Sequence, residues 1–194
     1  MASDEMLKAE TLVTTYLEML SSPAPENQRS NVSGQKFQVR ELTTPNWRFN
    51  RDMYFRVGEN WKWIDKRPWM EEQWKEYAND PNLRTFAGRC GEVLIGYYEL
   101  KRSPASLSRS QGSEVRAQIH QEDIEIAYFG LLPEFIGRGL GGALLTSAIE
   151  NAWAWSPTPL RVWVHTCNRD HSGALNNYKA RGFRVYKVER ESAG

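Results

Sequence analysis

The chain has 194 residues, 40% of them apolar, which suits one domain with a sizeable core. Its 25 basic and 24 acidic side chains give a net charge of +1, so no long-range attraction to nucleic acid is expected. No apolar run approaches the ~20 residues of a membrane span, and the first residues lack the basic and apolar segments of a signal peptide. We therefore expect a cytoplasmic protein without membrane or nucleic-acid partners.

The first part of the chain combines an apolar segment with a polar one. Thr11–Leu20 is apolar and partly β-branched, and its pattern fits either a strand or a short helix. Ser21–Gln35 is dominated by Pro, Ser, Asn and Gly, as linkers are. Lys36–Leu42 alternates apolar and polar residues, which predicts a strand. We expect an N-terminal extension and linker over 1–35 and a single domain over 36–194.

Two helices and a hairpin are predicted next. Asn46–Asn60 has apolar residues at helical spacing, and Glu71–Ala78 resembles a second helix. Leu83–Cys90 and Val93–Leu100 are β-like runs. Only Gly91-Glu92 separates them, which predicts a hairpin turn.

The rest of the chain alternates strands and helices after a polar segment. Arg102–Gln118 is rich in Ser and Arg and long for a loop, which indicates a mobile or functional segment. Lys179 and Arg181 lie in the last turn of the final predicted helix, where cations suit the helix dipole. The predicted elements are strand Ile124–Leu132, helix Gly139–Trp155, strand Leu160–Thr166, helix Ser172–Arg181 and strand Phe183–Val188. This order predicts an α/β protein with a mixed sheet and helices packed on its faces.

A glycine-rich turn at the start of the third predicted helix is the most informative segment. Glycines allow the backbone to approach a ligand closely, and the first N–H groups of a helix have no partners inside it. Such a helix start binds phosphate, although the same glycines also suit a tight turn with no ligand. The segment consists of Gly137, Arg138, Gly139, Leu140, Gly141 and Gly142.

Two other phosphate-binding motifs fit this turn less well. Gly137, Gly139 and Gly142 match G-x-G-x-x-G, the dinucleotide fingerprint, so a nucleotide-binding oxidoreductase is one alternative. That fingerprint follows its strand almost at once, whereas in this chain a segment from the end of the strand at Leu132 to Ile136 precedes the first glycine, and no acidic residue ends the strand Leu160–Thr166. A P-loop is excluded because no Gly-Lys-Ser/Thr follows.

The turn resembles the acetyl-CoA-binding motif of the GCN5-related N-acetyltransferase (GNAT) superfamily, Q/R-x-x-G-x-G/A. Gly139 and Gly141 occupy the two glycine positions, and Ile136 replaces Gln or Arg. The second motif of that family, N-x-x-A-x-x-x-Y-x-x-x-G-F, is matched downstream, with His171 in place of Asn. Its matching residues in this chain are Ala174, Tyr178, Gly182 and Phe183. Together the motifs place the resemblance over Leu83 to Val188.

The resemblance implies a sheet whose central strands splay apart and hold acetyl-CoA in the gap. It implies contacts to the coenzyme from Leu131, the glycine-rich turn and His171. It further implies direct attack of an acceptor amine on the thioester, with a small-molecule or peptide amine as acceptor and a homodimer as one possible assembly. A non-catalytic acyl-CoA-binding module on the same fold is the alternative, because fold does not fix function.

Direct attack requires a base, because an amine with a pKa of about 10.4 is protonated at neutral pH. Glu125 lies on the strand before the glycine-rich turn and matches the general-base glutamate of histone-acetylating family members. Glu99, at the end of the neighbouring strand, is the second candidate. A solvated strand carboxylate without catalytic function is the alternative for both.

The resemblance also implies a proton donor for the departing thiolate and donors for the oxyanion. Tyr178 matches the general acid of the family, although its spacing from Ala174 also fits packing on one helix face. Backbone N–H groups at a bulge in Tyr128–Leu131 are predicted to stabilise the oxyanion. Trp61 and Trp63 are the aromatic residues that best fit an acceptor pocket, with core packing as the alternative.

The two cysteines suggest no structural site. Cys90 and Cys167 are far apart and form no CxxC pair, so neither a structural zinc site nor a disulfide framework is predicted. A nucleophilic pair of Cys167 with His165 is a further interpretation. Asp170 is available to orient it, but capping of the next helix explains Asp170 better.

Overall fold

The computed structural model describes residues 11–23, 37–61, 63–105 and 122–191. Most of the predicted linker and of the predicted polar loop, and all of residues 1–10, lie outside these ranges. The strands are β1 (Leu12–Met19), β2 (Phe37–Glu41), β3 (Leu83–Cys90), β4 (Val93–Pro104), β5 (Glu122–Leu131), β6 (Arg161–Cys167) and β7 (Arg184–Glu191). The helices are α1 (Trp47–Gly58), α2 (Glu71–Ala78), α3 (Leu140–Trp153) and α4 (Ala174–Lys179).

The described strands form one mixed sheet in the order β2-β3-β4-β5-β6-β1-β7. All neighbouring pairs are antiparallel except β5 and β6, which are parallel. Gly91 closes the predicted β3–β4 hairpin with a φ of +59°, a conformation that favours glycine. The predicted mixed α/β sheet is therefore confirmed.

Strand β1 lies inside the sheet, between β6 and β7. The predicted division of the chain at residue 36 places this segment in an extension, whereas the structure makes it part of the domain. Leu17 is fully buried and Met19 nearly so, which explains why an N-terminal segment is held inside the sheet. The local sequence pattern does not reveal this position because both strand partners of β1 lie more than 140 residues away.

The two faces of the sheet carry separate cores. Helices α3 and α4 cover one face, where the buried cluster includes Ile124, Ile126, Val162 and Val164. Helices α1 and α2 cover the other face, where Met53, Val57, Tyr97 and Leu132 form a smaller cluster. Glu125 lies between Ile124 and Ile126, so alternation along the strand directs it toward the opposite face, that of α1 and α2.

The described residues contain neither a membrane-spanning helix nor a metal-binding cluster. None of the helices in these ranges is both long and apolar enough to cross a membrane. The same residues contain no group of three or more His, Cys, Asp or Glu side chains that could hold a metal ion. Cys90 and Cys167 are both free thiols.

Candidate active site

A cavity of about 670 Å³ opens where β5 and β6 separate. Their parallel pairing ends at Glu125 and Trp163, while β5 continues to Leu131 and β6 to Cys167. The separated halves of the two strands form two walls of the cavity. The remaining walls are the glycine-rich turn, the segment between α1 and α2, and the start of α4. The expected splaying of the central strands is therefore confirmed.

The glycine-rich turn forms the mouth of the cavity. Gly137 and Gly139 have φ angles of +79° and +76°, and a Cβ on either would meet no atom within 4 Å. Gly139 is the N-cap of α3 and offers no side-chain cap to the first N–H groups of the helix. An anion is the natural partner for such a helix start. The turn thus has the shape and polarity to receive a phosphate group.

Two glycine substitutions should separate backbone strain from ligand binding. Gly139→Ala places a Cβ on left-handed backbone and should lower the free energy of unfolding by about 1 kcal/mol. Gly141→Ala, in the first turn of α3, meets only an ordinary contact with Leu131 and should leave stability equal or higher. Urea unfolding of both variants without ligand measures this difference. Equal stability of the two variants would contradict the left-handed conformation of Gly139.

The other predicted coenzyme-binding residues differ in whether their side chains reach the cavity. Leu131 lines the cavity beside Gly141. Leu140 is 2% exposed and packs in the core, so only its backbone is available to a ligand. Arg138 does not line the cavity, and its guanidinium lies over the Phe135 ring at 5.3 Å.

Tyr178 lines the cavity from α4. Its ring packs near Phe129 and Phe183, with centroid distances of 6.2 and 5.9 Å. Burial raises the pKa of the Tyr178 phenol, so the hydroxyl stays protonated at neutral pH. A protonated phenol facing the cavity is able to donate a proton there.

Glu125 forms a pair with a histidine that borders the cavity. His165 Nδ1 lies 3.3 Å from Glu125 Oε1, and His165 lines the cavity from β6. The hydrogen bond to Glu125 raises the pKa of His165 against the opposing effect of burial. The Glu125 side chain is 20% exposed and that of His165 is 46% exposed, so the pair remains accessible to a ligand.

Glu99 lies outside the cavity wall, in a buried polar network. The residue is 1% exposed, and its carboxylate accepts hydrogen bonds from Tyr77 Oη and, at 2.8 Å, from Asn50 Nδ2. Burial raises the pKa of Glu99, although these two hydrogen bonds oppose the effect. Asn50 also donates to Thr85 Oγ1 at 2.8 Å. The arrangement indicates that Glu99 ties α1 and α2 to the sheet.

The segment between α1 and α2 forms an aromatic and acidic end of the cavity. Trp61, Trp63 and Asp65 line it together with Tyr128 from β5. Burial alone would raise the pKa of Asp65, but hydrogen bonds from Tyr128 and Tyr54 and the charge of Lys66 lower it. The Asp65 side chain is 57% exposed and ionised, so it can attract a cation.

Lys66 fills an aromatic cage behind this wall. Its Nζ lies 4.4, 4.8 and 4.7 Å from the ring centroids of Trp69, Tyr77 and Tyr128. It also donates to Tyr128 Oη at 2.8 Å and lies 3.2 Å from Asp65 Oδ2. Its side chain is only 12% exposed, so this ammonium fixes Asp65 and Tyr128 in place.

The loop after β6 forms another wall of the cavity and meets the aromatic end at Trp61. His171 lines the cavity, its Nδ1 accepts from Gly173 N at 3.0 Å, and its ring contacts that of Trp61 with a centroid distance of 5.3 Å. Burial raises the pKa of the Cys167 thiol. Because Asp170 bonds Thr166 Oγ1 and the Cys167 backbone at 2.8 Å each, it is not placed to orient a Cys–His pair.

Three features of the cavity are not predicted by the sequence. The bulge in β5 lies at Ala127, one residue before the predicted span, because Glu99 pairs with Tyr128 and Leu100 with Ile126. The partnership of Glu125 with His165 depends on strand register, which no local signal reveals. Asp65 and Lys66 follow closely after Trp61 and Trp63, so the tryptophan cluster was the available signal for them.

Several solved structures share this fold. A conserved protein of unknown function from Staphylococcus epidermidis superposes with a TM-score of 0.55 at 11% identity, over 93% of this chain and 60% of that one. The chain therefore spans less than two thirds of that protein. An Arabidopsis thaliana NAA60 in complex with acetyl-CoA gives 0.56 at 17% identity, over 78% and 88% of the two chains.

An aminoglycoside acetyltransferase from an uncultured soil metagenomic sample, in complex with sisomicin, gives a TM-score of 0.57 at 12% identity, over 75% and 87% of the chains. At these identities the likeness shows the fold alone. No curated protein matches the sequence. The model of the acetyltransferase (GNAT) family matches residues 38–183, about three quarters of the chain. The chain therefore belongs to the acetyltransferase (GNAT) family.

Proposed function

We propose that this protein is an N-acetyltransferase that transfers the acetyl group of acetyl-CoA to a primary amine within a ternary complex. The observation that carries this proposal is the convergence of three groups on one cavity. The glycine-rich turn is at its mouth, Tyr178 lies on one wall, and the Glu125–His165 pair borders the face of α1 and α2.

The residues at the mouth fit a coenzyme phosphate. Gly137 and Gly139 leave open space where a side chain would lie, and the uncapped start of α3 directs N–H groups toward that space. Leu131 and His171 border the cavity farther along its walls. When bound, acetyl-CoA supplies the acetyl thioester, and all other chemistry comes from the side chains and backbone of this chain.

The Glu125–His165 pair is the proposed base. An acceptor ammonium must lose a proton before it can attack, and a neutral imidazole held by a carboxylate is a suitable proton acceptor. Tyr178, protonated and facing the cavity, is the proposed donor of a proton to the leaving sulfur. Backbone N–H groups of β5 near Ala127 are the proposed oxyanion donors, since β5 and β6 no longer pair beyond Glu125.

The aromatic and acidic end of the cavity supports a cationic acceptor. Trp61, Trp63 and Tyr128 offer ring faces, and the ionised Asp65 offers an exposed carboxylate. Solved structures of the same fold include an aminoglycoside acetyltransferase with sisomicin and an NAA60 with a bisubstrate analogue. Polycationic amines and peptide N-termini are thus the first acceptors to test.

Thermal unfolding with coenzyme tests the proposal. Acetyl-CoA at a hundred times its dissociation constant should stabilise the protein by about 2.7 kcal/mol, whereas NAD should not stabilise it. Thiol release with a panel of polycationic amines and peptides then measures turnover. Coenzyme binding without thiol release from any amine would favour a binding module. The absence of any stabilisation by millimolar acetyl-CoA would overturn the proposal.

A further inference from the structure

Two arginines near the glycine-rich turn have no acidic partner among the described residues. Arg181 follows α4, and its Nε donates to Gly142 O at 3.0 Å and to Thr146 Oγ1 at 3.2 Å. Its Nη1 donates to Asn177 O at 3.3 Å and to Asn177 Oδ1 at 2.5 Å. All four contacts are to neutral oxygens. Within the part of the chain that the structure describes, Arg181 therefore holds an uncompensated, half-buried positive charge.

This charge is located directly behind the turn, next to residues that line the cavity although Arg181 itself does not. A Cβ on Gly142 would overlap Arg181 Nη2, so the guanidinium occupies the space that glycine leaves free. Both Gly142 and Asn177, which bond Arg181, line the cavity. The position of Arg181 near a helix end indicates an interaction with the dipole of α4, but the contacts extend across to the first turn of α3.

Arg169 approaches the same cavity from the other strand. It follows β6 and lines the cavity, and its Nε is buried without a hydrogen-bond partner among the described residues. The carboxyl ends of parallel strands lie at one edge of a sheet, so the loop after β6 and the turn that follows β5 border the same cavity from two sides. Because solvent does not reach this Nε, Arg169 offers a ligand in the cavity its positive charge rather than a hydrogen bond from Nε.

The side chains of the turn itself bring no positive charge into the cavity. Ile136 has no polar group, and Arg138 lies against Phe135 outside the cavity. We propose that Arg181 and Arg169 instead provide the positive charge that binds the diphosphate of coenzyme A. This inference rests on the proposed function. It assigns the binding of the phosphates to residues that come from the far end of α4 and from the loop after β6.

The test compares coenzyme affinities of arginine variants by calorimetry. Arg169→Gln and Arg181→Gln should each weaken binding of coenzyme A by roughly 10-fold or more, because each removes a positive charge near the diphosphate. Arg181→Lys should recover part of the affinity. Arg190→Gln, a change on β7 with the same loss of charge, lies away from the cavity; it is the control and should bind as the wild type does.

The affinity for acetylpantetheine, which lacks the phosphates of coenzyme A, shows whether the arginines act on those phosphates. Its affinity should be equal in the wild type and in both variants. An equal loss for acetylpantetheine, or wild-type affinity of both variants for coenzyme A, would overturn the inference. Dephospho-coenzyme A, which keeps the diphosphate, should show the same loss as coenzyme A. If the loss disappears with it, the arginines serve the 3′-phosphate and the assignment is wrong.

Two controls keep these results interpretable. Arg181→Gln removes four hydrogen bonds, so the Tm of each ligand-free variant is measured first. Arg169→Gln removes an Nε that has no partner among the described residues, and it carries the test if Arg181→Gln does not fold. If Arg169 instead binds a carboxylate of the acceptor, Arg169→Gln should raise the KM of the acceptor and leave the affinity for coenzyme A unchanged. That result would overturn the inference. Failure of the wild type to bind coenzyme A would instead reject the proposed function.

Discussion

Replacement of Tyr178 by phenylalanine is expected to lower turnover by about 10²-fold or more while the Kd of acetyl-CoA stays close to that of the wild type. The phenol borders the cavity and is kept protonated by burial, which raises its pKa. Phenylalanine keeps the ring contacts with Phe129 and Phe183. The change therefore removes the proposed proton donor and leaves the packing of α4 in place.

The measurement is steady-state turnover together with calorimetric binding of acetyl-CoA. Tyr98→Phe is the matched control, because Tyr98 is fully buried on the α3 face and does not line the cavity. Its hydroxyl accepts from Asn151 Nδ2 at 2.8 Å, so this control should lose about 1 kcal/mol of stability and no turnover. Unchanged turnover in Tyr178→Phe would limit Tyr178 to packing, the alternative that its spacing from Ala174 suggested.

The parts of the site that were predicted from sequence are local in the chain. The glycine-rich turn and Tyr178 each lie within one short segment, and their chemistry follows from residue type and from the start or face of a single helix. The hairpin at Gly91 and helix α2 are local in the same sense. Short-range spacing is sufficient information for such elements.

The parts that were not predicted depend on contacts between distant segments. Glu99 is on the neighbouring strand, as expected, but Asn50 and Tyr77 from α1 and α2 determine that it is buried outside the cavity wall. Strand β1 lies inside the sheet only because β6 and β7 pair with it. Arg181 reaches the first turn of α3 across 39 residues of sequence. No periodicity in one segment reports these partners.

The Glu125–His165 pair depends on both local and distant information. Glu125 was predicted as a base, whereas His165 was considered only as a partner of Cys167. The parallel register places Glu125 opposite Trp163, two residues before His165 on the same face of β6. That register also fixes the electrostatics of the pair. The hydrogen bond to Glu125 raises the pKa of His165 above its ordinary value of about 6.5. The neutral imidazole of the proposed base therefore forms only at a higher pH than in an ordinary histidine.

Glu125→Gln is therefore expected to change the pH profile of kcat/KM as well as its height. Without the carboxylate the pKa of His165 falls, so the acidic limb, where activity rises with pH, should move to lower pH. The plateau should fall by on the order of 10²-fold because the imidazole becomes a weaker and less well oriented base. Glu92→Gln, an exposed change in the β3–β4 turn, should leave both features unchanged.

The free energy of unfolding tests the Glu125–His165 interaction independently of activity. A histidine with a higher pKa in the folded state than in the unfolded state stabilises the folded state. This contribution is complete at pH values below the pKa of the unfolded state and is lost as pH rises through the pKa of the folded state. Urea unfolding at about pH 5.5, below the unfolded pKa of about 6.5, should thus show Glu125→Gln less stable than the wild type, and at about pH 9 closer to it. His165→Asn, alone and combined with Glu125→Gln, should show that the two losses of activity are not additive. An acidic limb that stays in place in Glu125→Gln would remove the pair from the mechanism.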